Sequence, residues 1–293
     1  MLLALTRAVP ASIARCELTH LARTPIDYAR AVAQHAAYEA ALEAAGCRVQ
    51  RLPEAPDLPD SVFVEDTAIV LDDLAVIARP GADSRRSEVE TMAAALRPHR
   101  HLASIEPPGT LDGGDVLVVP PYPALRGTDR APGRVFVGVS GRTNAEGARQ
   151  LAEHLRPHGF DVMAIHVRGC LHLKSAVTLA SLPPEEGSHA FDNRNGRHTQ
   201  PRPTLLINPA WVEARLFDGC DVIEVDAAEP AAANVLRIGE RLICAAEHPR
   251  TRHRLEARGF VTVAVPGGEL AKAEGAMTCC SVVFTAQPPR TGG

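Results

Sequence analysis

Apolar and polar positions along the chain alternate between two patterns, one typical of helices and one typical of short strands. The stretch from Asp27 to Ala45 has helical composition, stops at Gly46, and is followed by the β-rich run CRVQRL. Glycine suits the residue after a helix because it adopts the left-handed conformation without a Cβ clash. The same joint between a helix and a strand occurs five times, near residues 46, 100, 159, 219 and 259.

Two of the other helices carry a predicted start signal. Ser87 with Glu90, and Thr143 with Glu146, have the spacing of a capping box, in which the two residues satisfy free backbone N–H groups at a helix start. The remaining helices are predicted over 209–217 and 248–258.

Between the joints lie pairs of β-rich runs, and each pair precedes the next helix. The pairs are SVFVEDTAIVL with LAVIAR, DVLVV with RVFVGVS, SAVTLAS with TLLIN, VLRIG with RLICAA, and the C-terminal CSVVF with the N-terminal LLALTRAV. A ββαβ unit repeated five times favours a closed, five-bladed α/β propeller. An ordinary doubly wound α/β sheet is the alternative. No interdomain linker is apparent, so we expect residues 1–293 to form one domain; the segments 120–133 and 183–203 are predicted to be surface loops.

Composition narrows the classes of partner and the cell compartment. The 293 residues carry a net charge of −4, and the sequence pI is about 6.3. No basic surface is therefore expected for nucleic acid or an anionic membrane. No run approaches the ~18 apolar residues of a membrane span. Seven cysteines without a C-x-x-C spacing, and no export signal at the N-terminus, predict a cytoplasmic protein with reduced thiols.

Three motifs supply residues that could carry out chemistry. Asp112 lies in TLDGGDVLVV, His172 in GCLHLKSAV, and Cys279 with Cys280 in AMTCCSVVF. Taken singly, these are more often a turn aspartate, a packed histidine and small buried hydrophobes. Together they provide a thiol, an imidazole and a carboxylate at strand ends of different repeats. These are the components of nucleophilic catalysis.

A second group of charged residues suggests a site for a cation with a carboxylate. PDSVFVEDTAIV places Asp60, Glu65 and Asp66 on one predicted strand and its approach. Charged residues that protect an edge strand would explain them, but so would a pocket for a guanidinium, whose N–H donors match carboxylate geometry. Arg85 and Arg142 lie at predicted helix starts, where a cation opposes the helix dipole, so they could bind a substrate carboxylate.

Six motifs in order give a resemblance that covers the chain from about Thr6 to Phe284: FVEDTAIV, ARPGADSRR, TLDGGDVL, VGVSGRTNAEGA, CLHLKS and GAMTCCSV. The sequence resembles the dimethylarginine dimethylaminohydrolases of the guanidino-group-modifying, or pentein, superfamily. The resemblance implies a five-bladed α/β propeller that hydrolyses N-omega-methylated arginine to citrulline and an amine through a covalent cysteine thiouronium. It implies no metal and no organic cofactor, a small guanidino substrate, and a monomer or homodimer.

The resemblance also implies a role for each matching position. Cys279 matches the nucleophile, His172 matches the general acid and base, and Asp112 matches the carboxylate that orients the histidine. The guanidinium contacts are matched by Asp60 and Asp66, with Glu65 in the same pocket wall. The contacts to the α-carboxylate are matched by Arg85 and Arg142, and Leu18 matches a leucine in a lid over the substrate. Glu274 departs from the pattern, because relatives usually carry aspartate there, and we expect it to contact the substrate's amino group or guanidinium. The 183–203 loop is longer than the usual connection.

Three alternative functions remain open on the residues alone. The first is an arginine deiminase-like hydrolase of another guanidino compound. The second is an amidase that uses Lys174 with a cysteine and a carboxylate. The third is a non-catalytic protein that binds cationic amino acids.

Overall fold

The structure, a computed structural model, describes residues 1–123, 130–183, 190–192, 197–199 and 202–286. Its strands are β1 (Leu2–Thr6), β2 (Cys47–Arg51), β3 (Ala68–Val70), β4 (Leu74–Ile77), β5 (His101–Ser104), β6 (Val116–Val119), β7 (Tyr122–Pro123), β8 (Arg130–Ala131), β9 (Gly133–Val139), β10 (Phe160–His166), β11 (Val177–Ser181), β12 (Ala190–Asp192), β13 (Arg197–Thr199), β14 (Thr204–Ile207), β15 (Asp221–Glu224), β16 (Leu236–Ile238), β17 (Arg241–Ala245), β18 (Val261–Val265) and β19 (Val282–Thr285).

The helices lie between these strands. They are α1 (Tyr28–Ala44), α2 (Val89–Leu96), α3 (Ala145–Leu155), α4 (Leu173–Ala176), α5 (Pro249–Glu256) and α6 (Gly268–Ala271). Short 3₁₀ turns cover Ile13–Arg15, Val64–Thr67, Asp83–Glu88, Gly113–Asp115, Arg156–His158, Ala214–Phe217 and Pro230–Ala233.

Fifteen of the strands form five sheets of three strands with one repeated topology. The sheets have the orders β19-β1-β2, β3-β4-β5, β6-β9-β10, β11-β14-β15 and β16-β17-β18. In each sheet the middle strand is antiparallel to the first strand and parallel to the third. A parallel pair needs a long crossover, which is where the helix of each unit lies. In the fourth unit this crossover is only the 3₁₀ turn at 214–217, so the helix predicted over 209–217 was wrong.

The first strands of the sheets lie on the inside of the molecule. Residues of β3, β6, β16 and β19 line one cavity of about 790 Å³. Five apolar clusters fill the space between and behind the sheets. The described strands thus form separate small sheets around an interior channel, as in a five-bladed α/β propeller. The alternative of one continuous doubly wound sheet was wrong.

Helix boundaries follow local chemistry, although not always the chemistry that the sequence suggested. Asp27 caps α1, with its side chain accepting the N–H of Arg30. Asn144 caps α3 through the N–H of Gly147, so the predicted box of Thr143 and Glu146 was wrong. The predicted box of Ser87 and Glu90 was wrong too, since α2 begins at Val89 without a side-chain cap.

Two further expectations concern turns and loops. The glycines at 46, 159, 219 and 259 have φ values of +97°, +78°, +80° and +87°, which confirms the predicted turns. Residues 124–129 of the first predicted loop, and 184–189, 193–196 and 200–201 of the second, lie outside the described residues. In the described parts, β7 pairs with β8 and β12 pairs with β13. Among the described residues, no helix combines the length and apolar composition needed to cross a bilayer.

Candidate active site

A small cavity of about 10 Å³ lies where the segments that precede the inner strands converge. Cys279 precedes β19, Asp60 and Asp66 precede β3, and His172 precedes β11. The cavity is lined by Glu17, Asp60, Phe63, Asp66, Arg85, Arg142, Leu171, His172, Ala273, Glu274, Gly275 and Cys279. Seven of the ten residues singled out in the sequence line this cavity, and an eighth, Asp112, contacts His172; Leu18 and Glu65 do not line it.

The adjacent cysteines have different surroundings. Cys279 is half-buried and lines the cavity, whereas Cys280 is 1% exposed and belongs to the apolar cluster with Tyr38 and Met277. Their separation was expected from strand alternation, but both lie in a turn that ends before β19. Burial raises the pKa of the Cys279 thiol well above its usual range, and the negative charges of Glu65 and Asp66 raise it further. Cys279 is therefore a neutral thiol in the free protein at neutral pH.

Asp112 is fully buried and fixes the His172 ring. Its Oδ2 lies 3.1 Å from His172 Nε2. Its Oδ1 accepts the N–H of Gly81 at 2.8 Å, and its own N–H donates to the Thr143 hydroxyl at 3.1 Å. Thr143, which the sequence suggested as a helix cap, thus holds the carboxylate that orients the histidine.

Three buried carboxylates surround the imidazole. His172 Nδ1 lies 3.8 Å from Asp66 Oδ1, and Asp115 accepts the N–H of Leu173, the next residue after His172, at 2.9 Å. Burial of the ring opposes protonation, but the charges of Asp66, Asp112 and Asp115 outweigh it and raise the pKa of His172 to about 9. His172 is therefore an imidazolium at neutral pH.

Asp66 is held between Arg85 and a backbone amide. Its Oδ2 accepts from Arg85 Nη1 at 2.5 Å and its Oδ1 from the N–H of Gly114 at 2.9 Å. Burial alone would raise the pKa of this carboxyl, but His172 and Arg85 outweigh burial and lower it to about 2. Arg85 also donates to Glu88 at 2.8 Å and to the carbonyl of Phe63 at 2.9 Å. Most of its donors are thus bonded within the protein, which leaves few for the substrate carboxylate that the sequence suggested as its partner.

Asp60 and Arg142 form fewer hydrogen bonds within the protein than Asp66 and Arg85 do. Asp60 is buried and its Oδ2 accepts the N–H of Glu17 at 3.1 Å; burial raises the pKa of its carboxyl, against the opposing charge of Arg85. An incoming cation would stabilise its ionised form. Arg142 lies 3.9 Å from Asp112 Oδ2 and donates to the Thr19 hydroxyl at 3.3 Å.

Glu65 faces away from the small cavity. Its carboxylate accepts from Lys174 Nζ at 2.6 Å and from the Thr278 hydroxyl at 2.7 Å, and both Glu65 and Lys174 line the larger interior cavity. The strand predicted for Asp60, Glu65 and Asp66 was wrong, because the residues 64–67 form a 3₁₀ turn. In that turn Glu65 and Asp66 point to different cavities, so the expectation that they share one wall was wrong as well.

Leu18 and Glu274 lie on two segments that contact each other beside the cavity. Leu18 is partly buried against the apolar cluster that contains Phe63, although it does not line the cavity itself. Glu274 does line the cavity, yet its carboxylate accepts backbone N–H groups of Thr19, His20 and Leu21. This arrangement argues against the expected contact with the substrate.

One group within the described residues has the composition of a metal site. Oxygen and nitrogen atoms of Asp66, Asp112 and His172 lie within 4.8 Å of one another. The ion pairs of these carboxylates with Arg85 and protonated His172 already balance their charge, so no cation is needed to explain the cluster. The absence of a metal stays a prediction.

Few local signals indicated the residues that support the site. Asp115 accepts the Ser140 hydroxyl at 2.7 Å as well as the N–H of Leu173, and burial raises the pKa of its carboxyl to about 6. The paired glycines in TLDGGD were the available signal. A Cβ at Gly113 would lie 2.0 Å from the Glu65 carbonyl oxygen, and one at Gly114 would lie 2.6 Å from His172 Nδ1. Only glycine allows the two site segments to approach this closely.

Comparison with known proteins agrees with the fold and the site. A family model described as arginine deiminase matches residues 33–181. The dimethylarginine dimethylaminohydrolase of Pseudomonas aeruginosa is 33% identical over 88% of this chain and 90% of its own length; that of Streptomyces coelicolor is 36% identical over 95% of each. A crystal structure of the Pseudomonas enzyme, a cysteine-to-serine variant complexed with citrulline, matches with a TM-score of 0.78 and 31% identity over 96% of this chain and 98% of that one.

Fold, site and family model together define a protein of the arginine deiminase class, built as an α/β propeller with a cysteine in its cavity. Within that class, the sequence identity of 33% and 36% to two dimethylarginine dimethylaminohydrolases, over nearly the whole length, defines the family. The chain belongs to the dimethylarginine dimethylaminohydrolase family.

Proposed function

We propose that this protein hydrolyses N-omega-methylated arginine, both asymmetric dimethylarginine and monomethylarginine, to citrulline and dimethylamine or methylamine. The observation that carries the proposal is the pairing, in one cavity, of a neutral Cys279 thiol with a His172 imidazolium held by buried carboxylates. Such a pair can supply both a nucleophile and the proton that a leaving amine needs.

Two relatives support the chemistry. One is the Pseudomonas aeruginosa variant complexed with citrulline. The other is a dimethylarginine dimethylaminohydrolase in which a histidine is replaced by glycine, solved as an adduct with S-methyl-L-thiocitrulline, with a TM-score of 0.77 and 32% identity. A product complex and an adduct are what a covalent mechanism at a shared site would give.

The substrate would be bound at both of its charged ends. Asp60 has the buried carboxyl that gains most from a cation, so it is the first partner of the guanidinium, and Asp66 is the second. Arg142 is the better placed of the two arginines for the α-carboxylate, because fewer of its donors are bonded within the protein.

The first chemical step makes a carbon–sulfur bond. The bound guanidinium lowers the pKa of the Cys279 thiol, because its positive charge offsets those of Glu65 and Asp66. The thiol releases its proton to solvent, because His172 is already protonated, and the thiolate attacks the guanidinium carbon. His172 gives its proton to the methylated nitrogen, the carbon–nitrogen bond breaks, and the amine leaves behind a cationic thiouronium on Cys279.

The second step returns the enzyme to its starting state. Neutral His172 accepts a proton from water as that water attacks the thiouronium carbon. The carbon–sulfur bond breaks, the ureido group of citrulline is released, and Cys279 and His172 regain the protonation that they had before. Asp112 keeps the ring oriented through both transfers.

The setting in which this reaction would run is also a proposal. The seven cysteines are free, as a reducing cytoplasm would keep them. The net charge of −4 offers nucleic acid and anionic membrane no attraction, and we propose a single-domain enzyme that works as a monomer or homodimer without a metal or organic cofactor.

A substrate panel tests the proposed activity. Asymmetric dimethylarginine, monomethylarginine, arginine and agmatine would be supplied, and release of citrulline or carbamoylputrescine measured. Both methylated arginines should react, with arginine slower by roughly 10–200-fold for each methyl group that the pocket packs. Agmatine should fail, because it lacks the carboxylate for Arg142.

Other outcomes would identify the competing functions. Faster turnover of arginine than of both methylated forms would indicate a deiminase. Protection of Cys279 from iodoacetamide without any turnover would indicate a binding protein. The amidase alternative has less support, since Lys174 lines the larger cavity and pairs with Glu65.

A further inference from the structure

Glu274 is bonded to three successive backbone amides of the segment over the cavity. Its Oε2 accepts the N–H of Thr19 at 3.0 Å, and its Oε1 accepts those of His20 and Leu21, each at 2.6 Å. Bonds from neutral amides to a carboxylate are stronger than bonds between neutral groups. The side chain thus holds a segment that lies more than 250 positions away in the sequence.

The backbone at Glu274 is in a conformation that normally calls for glycine. Its φ is +58°, the only positive φ of a non-glycine residue among the described residues. The N–H of Gly275 bonds the carbonyl of Leu270 and that of Glu274 bonds the carbonyl of Ala271, so α6 ends in a Schellman motif with Glu274 at the left-handed position. A glutamate persists in such a conformation only where its surroundings compensate, and here the three amides do so.

The same segment has other contacts with site residues. Asp60 accepts the N–H of Glu17, Arg142 donates to the Thr19 hydroxyl, and Ser84 donates to the Glu17 carboxylate at 2.8 Å. Residues 17–21, which we call the lid segment, are thus fixed to the cavity wall from several sides. Leu18 is the second residue of this segment and packs against the apolar cluster that contains Phe63.

We propose that Glu274 is a positioning residue that latches the lid segment over the bound substrate, rather than a substrate contact. The proposal rests on the assigned function only in that the occupant of the cavity is methylarginine. Asp60 and Arg142 both touch the lid segment and face the cavity, so a substrate that bonds them draws on the same atoms. The substrate does not compete for the three lid contacts of Glu274. Glu274 therefore keeps the lid segment in place when Asp60 and Arg142 bond the substrate instead of the segment.

Hydrogen–deuterium exchange of the free protein tests the latch without relying on catalysis. Glu274→Gly removes the carboxylate and places the favoured residue at a left-handed position, so the variant should keep or raise the Tm. Its amides at 19–21 should nevertheless exchange at least about tenfold faster, because the three charge-assisted bonds are lost. In Glu274→Asp, the exchange rate of these amides should lie between those of the wild type and Glu274→Gly, because the shorter side chain reaches fewer amides.

The matched control is Glu240→Gln in the β16–β17 turn, whose carboxylate is 91% exposed and pairs with Arg237. In Glu240→Gln, the amides at 19–21 should exchange hydrogen for deuterium at the wild-type rate. In Glu274→Gly, iodoacetamide should also alkylate Cys279 faster in the absence of substrate, and kcat/KM for dimethylarginine should fall while the control keeps both values.

Each result has one meaning. Unchanged exchange at 19–21 in Glu274→Gly would overturn the latch, whatever the kinetics. Faster exchange with no methylarginine turnover in any protein, wild type included, would leave the latch standing and refute the proposed function. Faster exchange with an unchanged kcat/KM would show that the segment is held but does not position substrate, which also contradicts the proposal.

Discussion

At the scale of single residues, the charges around the site keep both His172 and Cys279 protonated in the free protein. Asp66, Asp112 and Asp115 hold a proton on His172, while burial and nearby negative charge hold one on Cys279. The free protein thus stores both protons that the reaction moves. A cationic substrate is the trigger, because its arrival is what makes the thiolate favourable.

The two adjacent cysteines give the simplest test of the nucleophile. Cys279→Ser should abolish citrulline formation from dimethylarginine, since its hydroxyl is a much poorer nucleophile than a thiolate. Cys280→Ser should retain a substantial fraction of the activity, because Cys280 packs in the core and not in the cavity. Both variants should be checked for a native circular dichroism spectrum. Equal loss in two folded variants would show that Cys279 is not the nucleophile.

The raised pKa of His172 predicts a dependence of stability on pH. Between the ordinary value of 6.5 and about 9 the folded protein keeps a proton that the unfolded chain has lost, so the free energy of unfolding falls as pH rises through this window. The loss attributable to His172 is up to about 3 kcal/mol, less any screening by relaxation of the site. Urea titrations from pH 6 to 9.5 would measure it.

Comparison with two variants isolates the contribution of this ring. His172→Phe should flatten the pH profile between 6.5 and 9, whereas His253→Gln, at an exposed position, should leave it unchanged. A wild-type profile that is already flat across this window would mean that His172 is neutral in the folded protein.

The sequence indicated the residues of the site better than it indicated their contacts. TLDGGD and CLHLKS indicated Asp112 and His172 only in combination with the cysteine motif and through the family resemblance, because each motif alone is a weak signal. The hydroxyl of Thr143 on Asp112, and the carboxylate of Glu274 on the lid segment, join residues tens to hundreds of positions apart. No local pattern encodes such contacts, since they depend on how the units pack.

At the scale of elements, the start of α3 links helix formation to the site. The Asn144 side chain accepts the N–H groups of Gly147 at 2.8 Å and Thr110 at 3.1 Å, and donates to the Pro108 carbonyl at 2.9 Å. One side chain thus caps the helix and fixes the segment that leads to Asp112. Arg142 lies two residues before it, at the cavity.

Removal of this cap should therefore cost more than an ordinary surface substitution. Asn144→Ala should lower the free energy of unfolding by about 1–2 kcal/mol, because the helix loses its cap and a second N–H loses its acceptor. Asn144→Asp keeps the acceptor oxygen and should lose less. Urea denaturation of the three proteins measures the difference, and equal stability of the alanine variant and the wild type would refute the role of the cap.

The sequence predicted the elements where their signals are local. Asp27 before α1 and the glycines after the helices act through their own backbone, so they could be read directly. In FVEDTAIV the apolar alternation suggested one long strand, but Val64–Thr67 forms a 3₁₀ turn that aims Glu65 and Asp66 into separate cavities. There the packing of the unit overrode a pattern with period two.

At the scale of the whole molecule, both ends of the described chain meet in one sheet. β19 pairs antiparallel with β1, with Leu3 opposite Phe284, and the N–H of Ala286 donates to the carbonyl of Met1 at 2.9 Å. The last strand thus completes the first unit and closes the ring of five.

This closure predicts that the order of the chain can be changed. A circular permutant that joins residue 293 to Met1 through a short glycine–serine linker, and opens between Pro53 and Glu54, should fold and keep the wild-type kcat within a few fold. The new ends lie in an exposed connection between the first two units, where no sheet is cut. Opening instead between Ile69 and Val70, within β3, is the control and should abolish folding. Loss of folding in both permutants would show that the order of the units matters.

The position of Cys279 just before the closing strand has a consequence for synthesis on the ribosome. Nascent chains fold from the N-terminus onward, so the four sheets that do not contain β19, and the carboxylates around His172, can assemble before Cys279 is translated. The nucleophile, its turn and the strand that fixes them are the last of the described elements to be synthesised. A chain that is released from the ribosome before residue 279 is therefore inactive, even if its other sheets have folded.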